Sequence, residues 1–532
     1  MFELNSNGDT VFVPFAYTFA HTCSDGVGIV WGPCGLIRRM NITLGVSRGL
    51  ASLSLASMYA TACKDQQLDT DELPGRGEAC QPGSPEDQGD DAPCVKGFTC
   101  ERVGDADDQF VCATPLEIQG MVIDALTEQP IEGALVAALD DTRAPVTDVA
   151  VSDAQGNYTL YVPAKRTDDG ELTPDATWFL QASAKDYQAF PYGVRPEIPI
   201  SAADATTGED NDDPTLLENA STTIALIPLT QAQGVTISGQ VVGTDVTGVL
   251  VIAEDVSGED VAPSTIADLS GHFTLFNVPA GDATLRGYRF GLDIEPKTVT
   301  IAAQDLTGVD LNVVTANVDD MATVTGSVNI VNAPGGSMTS VVLIPVTAYN
   351  PVFERGPVPF GLRAPKHPAA PDIANAFAID GVPAGTYKVL AAFENDDLVR
   401  DPDLSIAGTD LQEITVMSGQ DTIVDASFKI TEALAVIGPG AETPEAITAA
   451  PSFQWGDDSS EDYYSLQVYD AIGTLVLDEP MVPRVTGNPA VTFPFDGELM
   501  AGMYYQFRAT SWKDGQPISR TEDQRGVFVY SP

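Results

Sequence analysis

The sequence predicts an all-β protein made of tandem β-sandwich domains. The 532 residues include 47 glycines and 38 prolines, which are typical of a chain with many tight turns. Between these turns, short segments alternate apolar and polar residues, as half-buried strands do. One strand-turn-strand pattern also occurs three times at roughly hundred-residue spacing, which indicates repeated domains. Hydrophobic residues make up 43% of the chain, so it can form several cores.

The composition and motifs exclude several classes of function. The net charge is −50, and a polyanion of this size repels phosphate backbones, which excludes nucleic acid as a partner. The chain has no HExxH, P-loop or dinucleotide-binding motif. Its match to G-x-S-x-G, at 45–49, lies in a segment that is expected to be cleaved off. The sequence therefore predicts neither an enzyme nor a cofactor.

Residues 1–62 are expected to be a leader, with the true start of the protein at Met40. After Met40, a basic residue precedes a short apolar stretch, and Ala60-Thr61-Ala62 supplies the small residues of a secretory cleavage site. The apolar stretch is too short to span a bilayer, and no later run of 18 apolar residues exists. The sequence predicts export to the cell envelope, at the outer membrane or the cell surface.

The residue after this site, Cys63, is the predicted point of membrane attachment. Residues 60–63 resemble the lipobox of bacterial lipoproteins, in which the cysteine becomes the lipidated first residue, although Ala60 stands where the family has leucine. The alternative is an ordinary Ala-x-Ala cleavage that leaves Cys63 unmodified. Lipidation is favoured because four later cysteines can pair among themselves, which leaves Cys63 as an odd thiol in an oxidising compartment. Contact with the membrane is then expected only through this lipid anchor.

A polar, acidic tether is predicted at 63–79 and a small cysteine-rich module at 80–114. The module has almost no aliphatic residues for a core, so two disulfides are expected to stabilise it. The spacing leaves all three connectivities open. Zinc is not expected, because the nearest cysteines have five residues between them. The spacing resembles small modules that follow the tether in other exported lipoproteins. The four cysteines are Cys80, Cys94, Cys100 and Cys112.

The repeated pattern begins with a strand that contains a central glycine. The three strand openings are IQGMV, ISGQV and VTGSV, at 118–122, 237–241 and 324–328. In the first two repeats, an Asp-x-x-Gly turn at 153–156 and 268–271 introduces a second alternating strand. Aspartate is expected to accept hydrogen bonds from the following backbone, and glycine to supply the positive φ that closes the turn. The third repeat lacks this turn motif.

Residues 120–136, together with the turn at 153–158, resemble the carboxypeptidase regulatory-like domain. That family is a small β-sandwich related to transthyretin and to carbohydrate-binding-like folds. The resemblance extends through the second repeat and partly through the third, and it implies non-catalytic structural or binding modules without an active site. The implied sandwiches occupy 115–230, 231–318 and 319–430.

Residues 431–532 differ from the repeats and resemble an immunoglobulin-like or fibronectin type III-like sandwich. The resemblance rests on the aromatic-rich segments 451–455, 464–469 and 504–512. Because their aromatic residues follow a period of two, they are predicted to pack in the core.

A segment inserted in the third sandwich, 349–367, is the candidate binding loop. It contains three basic residues and one acidic residue, together with aromatic residues and with prolines that lower the cost of ordering a loop on binding. Loops on rigid sandwiches commonly carry binding residues, so we expect a contact patch for an acidic polysaccharide or a surface protein. The alternative is a loop that folds back over a sheet edge. The candidate residues are Tyr349, Phe353, Arg355, Phe360 and Arg363.

The acidic runs 105–108, 209–213 and 457–462 are the candidate sites for Ca²⁺, the only metal that the sequence suggests. None has the spaced ligands of a defined calcium loop, so solvated loops are the expected state. The sequence as a whole predicts an anchored, non-catalytic surface lipoprotein with four sandwiches in a row and a structural, adhesive or binding role. The alternative is a carbohydrate-binding surface protein that uses aromatic loops.

Overall fold

The computed structural model describes residues 76–532 with internal gaps. The leader, Cys63 and most of the predicted tether lie outside the described residues. The gaps are 82–93, 96–97, 105–107, 196, 208–213, 231–233, 257–260, 331–338, 367–368, 370–371, 374, 394–399, 402–410, 426–427, 431–432, 459, 488 and 522–524.

The described chain is all-β, as predicted. Its 37 strands form nine sheets. In this part of the chain no helix is long and apolar enough to cross a membrane. The only helical elements described are four single 3₁₀ turns, at Ala202–Asp204, Ala220–Thr222, Val318–Asp320 and Val346–Ala348.

The cysteine-rich module contains a two-stranded antiparallel ribbon and two disulfides. The structure pairs Cys80 with Cys100 and Cys94 with Cys112, one of the three connectivities that the sequence leaves open. The ribbon consists of β1 (Thr99–Arg102) and β2 (Phe110–Ala113).

The first sandwich has two sheets, in the orders β11-β3-β10-β9, with β6 also on β3, and β5-β4-β7-β8. Their facing sides form one apolar core. The strands are β3 (Leu116–Asp124), β4 (Leu135–Leu139), β5 (Ala150–Val151), β6 (Asn157–Val162), β7 (Thr177–Ser183), β8 (Pro199–Ser201), β9 (Thr206–Thr207), β10 (Pro214–Leu217) and β11 (Thr223–Leu226).

The second sandwich pairs its strands as β15-β12-β19-β17 and β14-β13-β16-β18. These strands are β12 (Val235–Val242), β13 (Leu250–Glu254), β14 (Ser264–Ile266), β15 (His272–Val278), β16 (Gly281–Tyr288), β17 (Asp293–Ile294), β18 (Lys297–Ile301) and β19 (Leu306–Thr315).

The third sandwich pairs its strands as β23-β20-β27, with β28 also on β20, and as β22-β21-β24-β25, with β26 also on β24. These strands are β20 (Ala322–Ile330), β21 (Thr339–Pro345), β22 (Arg363–Ala364), β23 (Ala376–Val382), β24 (Gly385–Phe393), β25 (Arg400–Asp401), β26 (Gln412–Val416), β27 (Thr422–Ile423) and β28 (Phe428–Ile430).

The fourth sandwich has one small sheet, β29-β31-β34, and one large sheet, β30-β37-β35-β32-β33, with β36 also on β35. These strands are β29 (Val436–Gly438), β30 (Glu445–Ile447), β31 (Ser452–Gly456), β32 (Tyr463–Asp470), β33 (Leu475–Pro483), β34 (Ala490–Pro494), β35 (Tyr504–Lys513), β36 (Gln516–Arg520) and β37 (Val527–Tyr530).

The three repeats share one topology. In each, the opening strand pairs antiparallel with the second alternating strand (β6, β15 or β23) and parallel with a later strand (β11, β19 or β28). The predicted turn forms in the first two: in the first, Asp153 accepts hydrogen bonds from the following backbone, and Gly156 has φ +79°.

The central glycine of each opening strand faces an aromatic residue directly across the sheet. The register pairs Gly120 with Tyr158 and Gly239 with Phe273, and the third repeat has the same arrangement. A Cβ at Gly120 would lie 2.0 Å from the Thr222 carbonyl oxygen, and a Cβ at Gly239 would lie 1.8 Å from that of Val309. Glycine therefore recurs because the parallel partner strand and the aromatic ring leave no room for a side chain.

The four tandem sandwiches are packed against one another. All residues of β13 and β21 are buried, because their sheets are covered on both faces. One apolar cluster joins the second and third sandwiches. Another cluster joins the fourth sandwich to the first and includes Phe353 of the inserted loop. Contacts between domains thus bring the fourth sandwich back to the first, which the tandem order along the chain does not reveal.

Buried tyrosines predict the response of the fold to alkaline pH. Burial raises the pKa of Tyr158, Tyr288, Tyr387 and Tyr464. In the unfolded chain tyrosines ionise at a pKa of about 10, so the unfolded state releases these protons first. The stability that they contribute is complete below pH 10 and is lost as the pH rises above it. Absorbance at 295 nm should show that at least these four tyrosines ionise only together with a cooperative alkaline unfolding step. One simple titration of all tyrosines near pH 10 in a folded protein would contradict this.

Candidate functional site

The five candidate residues of the inserted loop do not form one exposed patch. Tyr349 and Phe353 are only 7% and 1% exposed. Tyr349 packs in a small apolar cluster of the third sandwich, whereas Phe353 belongs to the cluster shared with the fourth. These two aromatic side chains do not form the predicted exposed patch, because Tyr349 packs inside its own sandwich and Phe353 is covered by the first and fourth sandwiches.

The first part of the insertion, residues 349–355, is here called the junction loop. The Phe353 ring meets the Tyr192 ring of the first sandwich edge to face, with centroids 6.3 Å apart. A Cβ at Gly193 would lie 2.8 Å from the Phe353 ring, and one at Gly473 of the fourth sandwich 3.8 Å from it. The ring thus lies where the first, third and fourth sandwiches meet.

Charged side chains close this junction. Glu354, 7% exposed, forms ion pairs with Arg520 and, at 3.9 Å, with Arg508, both in the fourth sandwich. Arg508 Nη1 also donates to the Val352 carbonyl oxygen at 2.5 Å. Arg355 Nη1 donates to the Gly193 carbonyl oxygen of the first sandwich at 2.7 Å. The charges that suggested ligand binding therefore take part in contacts between domains.

The remainder of the insertion contacts the second sandwich and its own sheet. The Phe360 carbonyl oxygen accepts a hydrogen bond from the Phe290 backbone at 2.9 Å, and the Arg289 guanidinium lies 4.8 Å from the Phe360 ring centroid. Arg363 Nη2 donates to Ser340 Oγ at 2.6 Å. His367 lies outside the described residues. The inserted segment therefore fits the alternative prediction, a loop that folds back over a sheet, better than the prediction of an open binding loop.

A buried polar network joins the second and third sandwiches. The Glu254 carboxylate accepts hydrogen bonds from the Tyr288 hydroxyl at 2.6 Å and from the Thr347 hydroxyl of the third sandwich at 3.0 Å. Arg286 Nε donates to its other oxygen at 3.0 Å. The Tyr288 ring also meets the Tyr387 ring edge to face, at 5.8 Å. Both oxygens of the Glu254 carboxylate therefore accept hydrogen bonds from protein donors, which a buried carboxylate requires.

The first and second sandwiches meet through Asn277, whose side chain accepts from the Asp186 backbone at 2.7 Å and donates to the Tyr187 carbonyl oxygen at 3.0 Å. A crevice of about 210 Å³ lies between them, bordered by Val151, Ile266 and His272 among others. The His272 side chain is 63% exposed. The crevice is small for a ligand pocket, which typically encloses about 300–1,000 Å³.

The cysteine-rich module is joined to the first sandwich by a buried ion pair. Arg166 Nε donates to the Glu101 carboxylate, and the two side chains are 2% and 3% exposed. Arg166 Nη2 donates to the Thr114 carbonyl oxygen at 2.6 Å. Desolvation raises the pKa of Glu101, and the Arg166 charge opposes that rise.

Only one of the acidic runs is largely described. In it, the Tyr464 hydroxyl donates to the Asp457 carboxylate at 2.9 Å and the Ser511 hydroxyl donates to that of Asp458 at 2.7 Å. Glu461 is 3% exposed, and burial raises the pKa of its carboxyl. Protein donors thus already bind two of these carboxylates. The runs at 209–213 and 105–107 lie outside the described residues.

The aromatic residues of the fourth sandwich divide between its core and its surface. Trp455, Tyr464 and Phe507 are fully buried, as predicted. Trp512 was expected in the core but lies on the outer face of the large sheet, partly exposed, beside Tyr463. The sequence contained a sign that this sheet has an aromatic outer face. Tyr463 and Tyr464 are consecutive in a strand, so their side chains must point to opposite faces of the sheet.

Comparison with known proteins finds solved structures of low similarity. No family model matches the chain, and no curated protein matches it. Among solved structures, the Bacillus anthracis TIE protein is 11% identical, with 61% of this chain and 52% of that chain covered and a TM-score of 0.15. The major pilin subunit of Bacillus cereus is 10% identical, with 59% and 99% covered and a TM-score of 0.15. A streptococcal ancillary pilin is 10% identical, with 59% and 98% covered and a TM-score of 0.15. The chain spans about half the length of the TIE protein.

Proposed function

We propose that this protein is a non-catalytic surface lipoprotein, anchored through Cys63, whose packed sandwiches form a structural or adhesive body outside the cell. The observation that carries this proposal is that the inserted loop is buried between the sandwiches and not exposed to a ligand. Its buried aromatic ring and ion pairs connect three sandwiches, so the most distinctive segment of the chain stabilises the assembly. The resemblance of the repeats to carboxypeptidase regulatory-like domains supports the same role.

The two disulfides support an extracytoplasmic location. Disulfides persist in oxidising compartments, and both lie in a module too small to be stable without them. The module follows the predicted tether directly. A lipid at Cys63 would hold the protein at the membrane surface, with the sandwiches beyond the tether.

Mass spectrometry of the N-terminal peptide from native membranes tests this proposal. The expected result is a diacylated Cys63, and Cys63→Ser should release the protein from the membrane fraction. A serine replacement at Cys80 serves as the control, because it removes one disulfide and leaves the anchor. An unmodified Cys63, or wild-type protein free in the medium, would show that the anchoring proposal is wrong.

A further inference from the structure

The outer face of the large sheet in the fourth sandwich combines aromatic and hydrogen-bonding side chains. In β32, Tyr464, Leu466 and Val468 are fully buried in the core, so the residues between them point outward. Together with the neighbouring residues of β35 they form what we call the aromatic platform, which is partly exposed to solvent. Its members are Tyr463, Ser465, Gln467, Thr510 and Trp512.

Two rings of the platform are held parallel. Tyr463 and Trp512 are directly paired across β32 and β35, and their rings lie 4° from parallel with centroids 6.0 Å apart. Trp512 Nε1 donates to Ser465 Oγ at 2.9 Å, which fixes the indole and satisfies its only donor. The pair therefore offers a rigid apolar surface, which loses little side-chain entropy when a ligand binds.

Polar groups continue along the same face. Gln467 Nε2 donates to Asp478 Oδ1 of the edge strand β33 at 3.2 Å, and Tyr469 donates to Gln467 Oε1 at 3.1 Å. A carboxylate has several acceptor positions, so Asp478 retains capacity to accept from ligand hydroxyls. Aromatic surface beside amide, hydroxyl and carboxylate groups matches a ligand that has both C–H faces and many hydroxyls.

One end of this face is closed. Gln506 and Arg508 also lie on the outer side of β35, but they are only 1% and 9% exposed. Arg508 donates to the Val352 carbonyl oxygen of the junction loop, and Gln506 bonds to Arg508 and to the Arg525 carbonyl oxygen. The accessible part runs from Tyr463 to Gln467, a length of about 13 Å at the rise of a strand. That length suits several linked sugar rings better than a single one.

We propose that the aromatic platform binds a neutral oligosaccharide or polysaccharide. Sugar C–H groups pack against Tyr463 and Trp512, and hydroxyls bond to Gln467 and Asp478. The ligand is neutral because exposed Asp462, Asp478 and Asp514 border the platform of a chain with a charge of −50, which repels anionic polymers. This inference goes beyond the anchored structural role and does not depend on Cys63.

The test is binding of the purified full chain to cellulose, chitin, starch and mannan, with polygalacturonate as the anionic comparison. We expect at least one neutral polymer to remove the protein from solution and polygalacturonate to remove none. With the soluble hexasaccharide of the polymer that binds, Trp512→Ala and Tyr463→Ala should each weaken affinity by about tenfold or more. Trp512→Tyr, which retains a ring, should keep most of the affinity and also serves if the alanine variant does not fold.

The matched control is Tyr161→Ala, which removes a 61% exposed strand tyrosine from the first sandwich. It should leave binding unchanged. The proposal is wrong if the unaltered protein binds none of the neutral polymers, or if polygalacturonate binds best. It is also wrong if folded Trp512→Ala binds as tightly as the unaltered protein or if Tyr161→Ala weakens binding equally. Because none of these measurements involves the lipid, failure here leaves the anchoring proposal standing.

Discussion

Replacing Phe353 with alanine is expected to lower the free energy of unfolding by about 3–5 kcal/mol. The ring is 1% exposed and fills the point where three sandwiches meet. Its removal leaves a cavity lined by Tyr192 and by the core of the fourth sandwich, and three separate domains limit how far that cavity can collapse. Urea unfolding measures the change, and limited proteolysis should show earlier release of the fourth sandwich.

Phe360→Ala is the matched control, since it removes the same side chain from the same insertion at a partly exposed position. We expect Phe360→Ala to lower the free energy of unfolding clearly less than Phe353→Ala does. Phe353→Leu, which retains most of the apolar volume, should also cost less. If Phe353→Ala stays within about 1 kcal/mol of the unaltered protein, the ring does not hold the junction.

Arg166→Met is expected to lower the free energy of unfolding by about 3–5 kcal/mol, because it leaves the Glu101 carboxylate buried without its partner. The loss should be smaller in acid, since burial already raises the pKa of Glu101 and a protonated carboxyl no longer needs a counter-charge. Below that raised pKa the carboxyl is neutral, and above it the full penalty applies. Urea unfolding at several pH values, with proteolysis of the cysteine-rich module, measures both effects.

Two variants separate the ion pair from general damage. The double variant Arg166→Met with Glu101→Met removes both charges and should recover most of the loss. Lys165→Met breaks the neighbouring pair with Asp175, whose side chains are 40% and 64% exposed, and should cost less than about 1 kcal/mol. A double variant as unstable as Arg166→Met alone would show that packing, and not charge, accounts for the effect.

The local structure of the repeats was predictable because it depends on neighbouring residues. Alternation in β6 places Tyr158, Leu160 and Val162 in the core, as the period of two indicates. The Asp153 turn forms as expected because its hydrogen bonds span at most four residues. Two disulfides were expected from the cysteine count, but their pairing was not, since connectivity depends on how the small module folds.

The candidate site was predicted less well. The insertion was found, yet its basic and aromatic composition was interpreted as a binding surface when it is an interior contact. Trp512 was assigned to the core when it lies outside. The two errors have different origins. The composition of a loop does not show which distant domain covers it. Trp512, in contrast, has the opposite parity to Phe507, so the period of two itself places it on the other face of the sheet.

By itself, the sequence determined the all-β class, the repeated units, the turns of the first two repeats and the core face of strands such as β6, because these follow from backbone geometry and local spacing. Only the tertiary structure decided which outer faces are covered and which charges are paired. Glu354 meets Arg520 across 166 residues and Arg166 meets Glu101 across 65. Such contacts depend on where whole domains pack, and no local pattern encodes the partner of a surface that a distant segment covers.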